Sequence, residues 1–181
     1  MGLRRQPHLS DCTCFFVTSV CKDHLSLMSS DRCKSIVAES LNFVRTKFSI
    51  HILGYVLMPN HFHLILYFPG KNCLSDTMRD LKKYTSFRIR QEIDQKNPDL
   101  FEQLRYVHRE QLFKVWEDRF HDVWIGGRKV LETKLDYIHN NPLQVQWNLC
   151  QLPEQYRYSS AAFYWDDTCG EVRVTHYREF F

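Results

Sequence analysis

The stretch from Ser49 to Phe68 constrains the fold most: two apolar runs are joined by Pro59-Asn60. Pro-Asn is turn chemistry between extended segments, so the stretch predicts an antiparallel hairpin. Side chains alternate along a strand, which places His61, His63, Ile65 and Tyr67 on one face and Phe62, Leu64, Leu66 and Phe68 on the other. The second set is a core face. The first brings two imidazoles together above the sheet, as a divalent metal requires of its first two protein ligands. His-x-His also occurs in strands whose rings only bond to their neighbours, so a metal site needs a third ligand and a reactive group from elsewhere.

The flanking sequence supplies a framework. Cys14–Val20 is rich in aromatic and β-branched residues and predicts a first strand. Ser30 or Asp31 then caps a helix to about Lys47, with Ile36, Val37, Ser40, Leu41 and Val44 as its apolar stripe. Ser49–Leu57 is the second strand; His51 sits on it and is assigned no role. After the loop Pro69-Gly70-Lys71-Asn72, a helix from Ser75 or Asp76 to about Ile93 buries Met78, Leu81, Thr85 and Ile89. That helix carries Arg79, Lys82, Lys83, Arg88 and Arg90 with Tyr84 among them. Such a face is either solvated or contacts phosphates, and Tyr84 is a candidate nucleophile. Asn97-Pro98 breaks the helix, and Asp94–Gln111, with Arg105, His108 and Arg109, reads as an insertion or loop. Phe113–Trp116 and Phe120–Ile125 read as extended, the latter as the last strand, before Gly126-Gly127 opens a helix over Arg128–Asn140. Strand, helix, strand, strand, helix, strand, helix predicts an α+β, ferredoxin-like antiparallel sheet with an added C-terminal helix.

Composition narrows the class. At 181 residues, 44% of them hydrophobic, the chain can bury one core and is not a disordered polymer. A formal charge of +3 permits nucleic acid as a partner without the strongly basic balance of a DNA-coating protein. The seven cysteines, at 12, 14, 21, 33, 73, 150 and 169, include no Cys-x-x-Cys pair and suggest free thiols in a reducing compartment. Met1–His8 has no apolar segment behind its arginines, and no window approaches a membrane span, so a soluble, cytoplasmic protein is expected.

The added helix offers the missing groups. Leu131, Leu135 and Ile138 form its packing arc, and Tyr137 and Asn141, four residues apart, project together at the edge of that arc. Lys134 lies near them. Pro142 places Asn141 at the helix end, where its amide can reach a metal. Taken singly, Tyr137 reads equally as an amphipathic boundary tyrosine and Asn141 as a helix cap.

Together, four blocks carry a more specific pattern: Tyr55-Val56-Leu57-Met58-Pro59-Asn60-His61-Phe62-His63-Leu64, Met78-Arg79-Asp80-Leu81-Lys82-Lys83, Leu135-Asp136-Tyr137-Ile138-His139-Asn140-Asn141-Pro142 and Tyr156-Arg157-Tyr158-Ser159-Ser160-Ala161. In this order the chain resembles the single-tyrosine HUH transposases of small insertion sequences, most closely the REP-associated tyrosine transposases. The resemblance spans about residues 14–165. It implies a ferredoxin-like fold, His61, His63 and Asn141 as ligands of Mg²⁺ or Mn²⁺, and Tyr137 as the nucleophile. It also implies cleavage and rejoining of single-stranded DNA near imperfect hairpins through a 5′-phosphotyrosine. Lys134 is then placed to favour the phenolate, and Arg79, Lys82, Lys83, Tyr84 and Arg88 to contact DNA.

On this reading residues 1–150 form the catalytic domain. Residues 151–181 form a tail, rich in aromatic rings, that packs on the domain or touches DNA. Relatives include monomers and intertwined homodimers whose tyrosine helix serves the partner's metal site. The chain departs from the REP-associated pattern in lacking a Gly-rich entry to the first strand and in the extra length of Asp94–Gln111. A retired transposase that binds hairpins without cutting, or an unrelated metallohydrolase, are the alternative classes.

Overall fold

The computed structural model describes residues 13–70, 73–108 and 111–181. The Met1–His8 segment, Cys12, the Lys71-Asn72 half of the loop and Arg109 lie outside the described residues. The elements are β1 (Cys14–Val20), α1 (Asp31–Lys47), β2 (His51–Leu57), β3 (His61–Tyr67), α2 (Leu74–Lys96), α3 (Pro98–Gln103), β4 (Arg105–His108), β5 (Gln111–Phe113), β6 (His121–Trp124), α4 (Arg128–Asn140) and α5 (Ala161–Asp166). The main sheet runs in the order β2-β3-β1-β6 with every neighbouring pair antiparallel. This is the ferredoxin-like arrangement, with α4 added to it.

The two faces of the sheet are covered differently. The Phe62 side meets the α1 and α2 layer: Phe62 packs edge-on to Trp116, whose indole Nε1 donates to Thr85 Oγ1 on α2 at 3.0 Å. Ser30 starts α1 by accepting from the Cys33 amide, which satisfies one of the orphan donors of the first turn. The opposite face, carrying His61 and His63, receives α4 through Leu131, Leu135 and Ile138, all buried. That contact depends on Gly54 in β2, beside a register shift against β3. A Cβ on Gly54 would stand 2.6 Å from Leu135 Cδ2 and 3.0 Å from Ile138 Cδ1. A bare backbone there lets the helix lie down on the strand.

β2 is an edge strand, and the tail covers its open side. Leu57 N donates to Tyr158 O, Ser160 N to Tyr55 O and Thr175 N to Ile52 O, while Tyr156 and Tyr164 hydroxyls donate to the carbonyls of Leu57 and Leu53. These bonds occupy backbone groups that would otherwise offer an edge to another chain. Tyr177 continues to α4, donating to Glu132 Oε1 at 2.8 Å.

The segment read as an insertion or loop over Asp94–Gln111 has more structure than expected. α2 continues to Lys96, where Pro98 disfavours helix for Asn97, and the Asn97 side chain then accepts from Leu100 N to start α3. β4 and β5 follow as a separate two-stranded sheet. Short strands in a charged stretch carry too little alternation to be seen locally, and their pairing fixes them. The six described cysteines are all unpaired.

Candidate metal and nucleophile site

β3 presents His61 and His63 side by side, with ring centroids 4.7 Å apart. Each ring is held through one nitrogen. His61 Nδ1 lies 2.6 Å from Asn60 Oδ1, while Asn60 Nδ2 donates to His24 O at 3.2 Å. Because Oδ1 only accepts, Nδ1 of His61 carries the proton and Nε2 carries the lone pair. His63 Nδ1 pairs with Thr18 Oγ1 of β1 at 2.7 Å, leaving Nε2 buried and without a partner. Such second contacts orient imidazoles toward a metal.

Burial sets the charge of both rings. It pulls His61 down to about 4, which the nearby Asn141 side chain partly opposes without reaching hydrogen-bonding geometry. His63 falls to about 3, chiefly by burial and further by the charges of His61 and Lys134. Both imidazoles are therefore neutral at neutral pH and present lone pairs.

Asn141 closes α4 at its C-cap position and is 2% exposed, with Oδ1 buried and unpartnered. A buried polar atom without a partner calls for an explanation. Here two such atoms, His63 Nε2 and Asn141 Oδ1, belong to a neutral nitrogen and an amide oxygen of the kind that Mg²⁺ or Mn²⁺ accepts. The donor set fits an oxygen- and imidazole-binding divalent ion. No cluster of three or more His, Cys, Asp or Glu assembles among the described residues, so none of these adds a carboxylate or thiolate to the histidine pair.

Tyr137 stands edge-on to His63 at 5.2 Å and to Phe16 at 6.0 Å, and its residue is 45% exposed. The phenol is thus open to solvent beside a pair of neutral imidazoles. Lys134, one turn earlier, places Nζ 4.6 Å from the Phe16 ring centroid and 6.0 Å from that of Tyr137. α4 packs on its own chain's sheet, so one chain brings all four groups together.

The basic residues of α2 are elsewhere. They lie in the helical layer across the sheet from the histidines. Lys82 Nζ donates to the Glu117 and Asp118 carbonyls, Arg79 pairs with Asp76 and Asp80, and Arg88 donates to the Tyr84 hydroxyl. Tyr84 thus has an arginine for company rather than the imidazole pair.

Several neighbours of the site were not singled out from sequence. Asn60 sits in the turn next to His61, a signal within reach; Thr18 becomes visible only through its register with His63. Ser160 Oγ accepts from Tyr55 N at 3.0 Å and lies 2.8 Å from His139 Nε2, linking α4 to β2. Trp147, in an aperiodic stretch, approaches His61 with a centroid separation of 5.9 Å.

Comparison with known proteins bears on the family and the fold. Residues 9–141 match the family model described as IS200-like transposase. The fold superposes on a REP-associated tyrosine transposase bound to a REP hairpin with a TM-score of 0.63 at 18% identity, covering 97% of this chain and 92% of the other. A protein from Deinococcus radiodurans assigned as a transposase gives a TM-score of 0.48 at 14% identity, over 76% of this chain and 97% of the other. No curated protein matches the chain.

Proposed function

The chain belongs to the family of IS200-like transposases, and from that membership we propose that it cleaves and rejoins single-stranded DNA beside hairpins. Tyr137 is the nucleophile in this reading, and His61, His63 and Asn141 hold Mg²⁺ or Mn²⁺. The observation that carries it is an exposed phenol edge-on to a buried, neutral imidazole whose Nε2 has no partner, with the equally unpartnered Asn141 Oδ1 four residues beyond the phenol.

The chemistry follows from those positions. Tyr137 Oη bonds to the scissile phosphorus as the bond from phosphorus to the 3′-oxygen breaks, giving a 5′-phosphotyrosine and a 3′-hydroxyl. The phenol proton leaves to solvent and the departing oxygen takes one back, so nothing is consumed and attack by a 3′-hydroxyl rejoins the strand. A phenol is a weak nucleophile at pH 7, and Lys134 places its positive charge 6.0 Å from the Tyr137 ring centroid. A divalent ion held by His61, His63 and Asn141 would supply charge neutralisation to the phosphate. Because Arg79, Lys82, Lys83, Tyr84 and Arg88 lie across the sheet, any contact they make is with DNA outside the cleaved bond. Residues 1–150 carry the chemistry, and residues 151–181 hold α4 to β2.

The test is a denaturing gel of the protein with Mn²⁺ and labelled single-stranded DNA containing the imperfect hairpin beside its own gene. A covalent band is expected from the wild type and Tyr84→Phe, and none from Tyr137→Phe. Hairpin binding without any adduct would replace this reading with that of a retired, binding-only transposase. An adduct lost only in Tyr84→Phe would reassign the nucleophile.

A further inference from the structure

A closed turn places Trp147 beside the histidine pair. The turn that carries it is closed by Trp147 N and Asn148 N, both donating to Gln144 O, and by Leu149 N donating to Pro142 O; Asn148 takes the left-handed conformation, φ 44°, that Asn tolerates. The indole is half-buried, with its ring 5.9 Å from His61 and tilted 50° to it. From Asn141 to Leu152 the chain has no charged residue. This segment therefore offers a ligand an aromatic surface with no charged side chain of its own beside it.

The rings are also ordered in space. Tyr137 adjoins His63 and Phe16, whereas Trp147 adjoins His61, so nucleophile and indole flank the imidazole pair at its two ends. Phosphoryl transfer needs the attacking and leaving oxygens in line. With Tyr137 attacking from the His63 end, the 3′-oxygen departs toward the His61 end. Its nucleotide is then the one whose base lies next to the indole.

We infer that Trp147 is a stacking subsite for the base of the nucleotide immediately 5′ of the cleaved bond, an inference that rests on the strand-transfer reading of the site. It takes a nucleobase by its π-face, tolerates different bases, and keeps the released 3′-hydroxyl near the phosphotyrosine for rejoining.

The experiment uses Tyr137→Phe protein with Mn²⁺ and fluorescein-labelled hairpin oligonucleotides, each carrying one abasic position stepped across the bond mapped by the adduct gel. Binding is read by fluorescence anisotropy. Loss of one stacked base weakens binding by roughly 5- to 150-fold, and the largest loss is expected at the position just 5′ of the bond. Adding Trp147→Ala should weaken binding of the intact strand by a similar factor and abolish sensitivity to that abasic position, while Trp147→Phe keeps it. No penalty at the 5′ position, or an equal penalty with and without the indole, overturns the subsite. If Trp147→Ala fails to fold, the same abasic series on Trp147→Leu, which keeps apolar bulk without a π-face, supplies the comparison. A normal Tyr137-dependent adduct with no abasic penalty overturns the subsite alone; absence of any adduct overturns the strand-transfer reading and the subsite with it.

Discussion

Asn60 Oδ1 accepts from His61 Nδ1, and Thr18 Oγ1 pairs with His63 Nδ1, so each imidazole has one nitrogen tied and the other left over. Removing either partner leaves the ring present but free to turn. Asn60→Ala and Thr18→Val are expected to weaken Mn²⁺ binding about 10- to 100-fold, measured by calorimetry on Tyr137→Phe protein so that turnover does not intervene. Unchanged affinity in both would mean that these bonds do not orient ligands. The histidine pair itself was legible in the sequence because strand alternation puts residues two apart on one face, whatever the fold around them. Tyr137 and Asn141 were legible as a pair for the corresponding helical reason. Thr18 was not, because its contact spans two strands and depends on their register. Trp147 was not, because a turn closed by its own backbone bonds has no periodicity to read.

At the scale of elements, the seating of α4 on β2 decides whether Tyr137 and Asn141 reach β3. Gly54 permits that seating by steric absence, and Gly54→Ala forces a Cβ against Leu135 and Ile138. An expected loss of about 1–3 kcal/mol in urea unfolding should come with slower formation of the proposed adduct, since the helix that yields is the one carrying Tyr137. Ser160→Ala removes the hydroxyl shared by Tyr55 N and His139 and is expected to cost about 1–3 kcal/mol by the same measurement. β1, α1, the β2–β3 hairpin and α4 could be read from sequence because each has a sustained apolar pattern of one period. The β4–β5 pair could not: four and three residues in a charged stretch acquire strand geometry only by pairing with each other. The aromatic tail left packing or DNA contact open. Tyr156 and Tyr164 turn their hydroxyls to β2 carbonyls, a use that needs the edge strand to be known first.

The molecule as a whole should be sensitive to mild acid. Burial lowers His61 to about 4, His63 to about 3 and His139 to about 4, against an ordinary value of 6.5 in the unfolded chain. As pH falls below that value the unfolded chain takes protons that the native one refuses, so stability present above about 6.5 is lost between there and about 4, then levels as the native rings protonate. For His139 alone the shift corresponds to about 3 kcal/mol. The urea midpoint of the metal-free protein should drop steeply from pH 7 to pH 5, and less steeply in His139→Gln; a flat profile would show that these rings are not buried neutral in solution. The tail along β2 has a consequence in time. The bonds from Tyr156 to Tyr177 that clamp β2 and α4 join residues that follow α4 in the chain, so a ribosome exposes the tyrosine helix before the residues that fasten it. A nascent chain halted after Asn141 would hold His61, His63, Tyr137 and Asn141 without that clamp, and their arrangement would settle only once residues 156–177 had emerged.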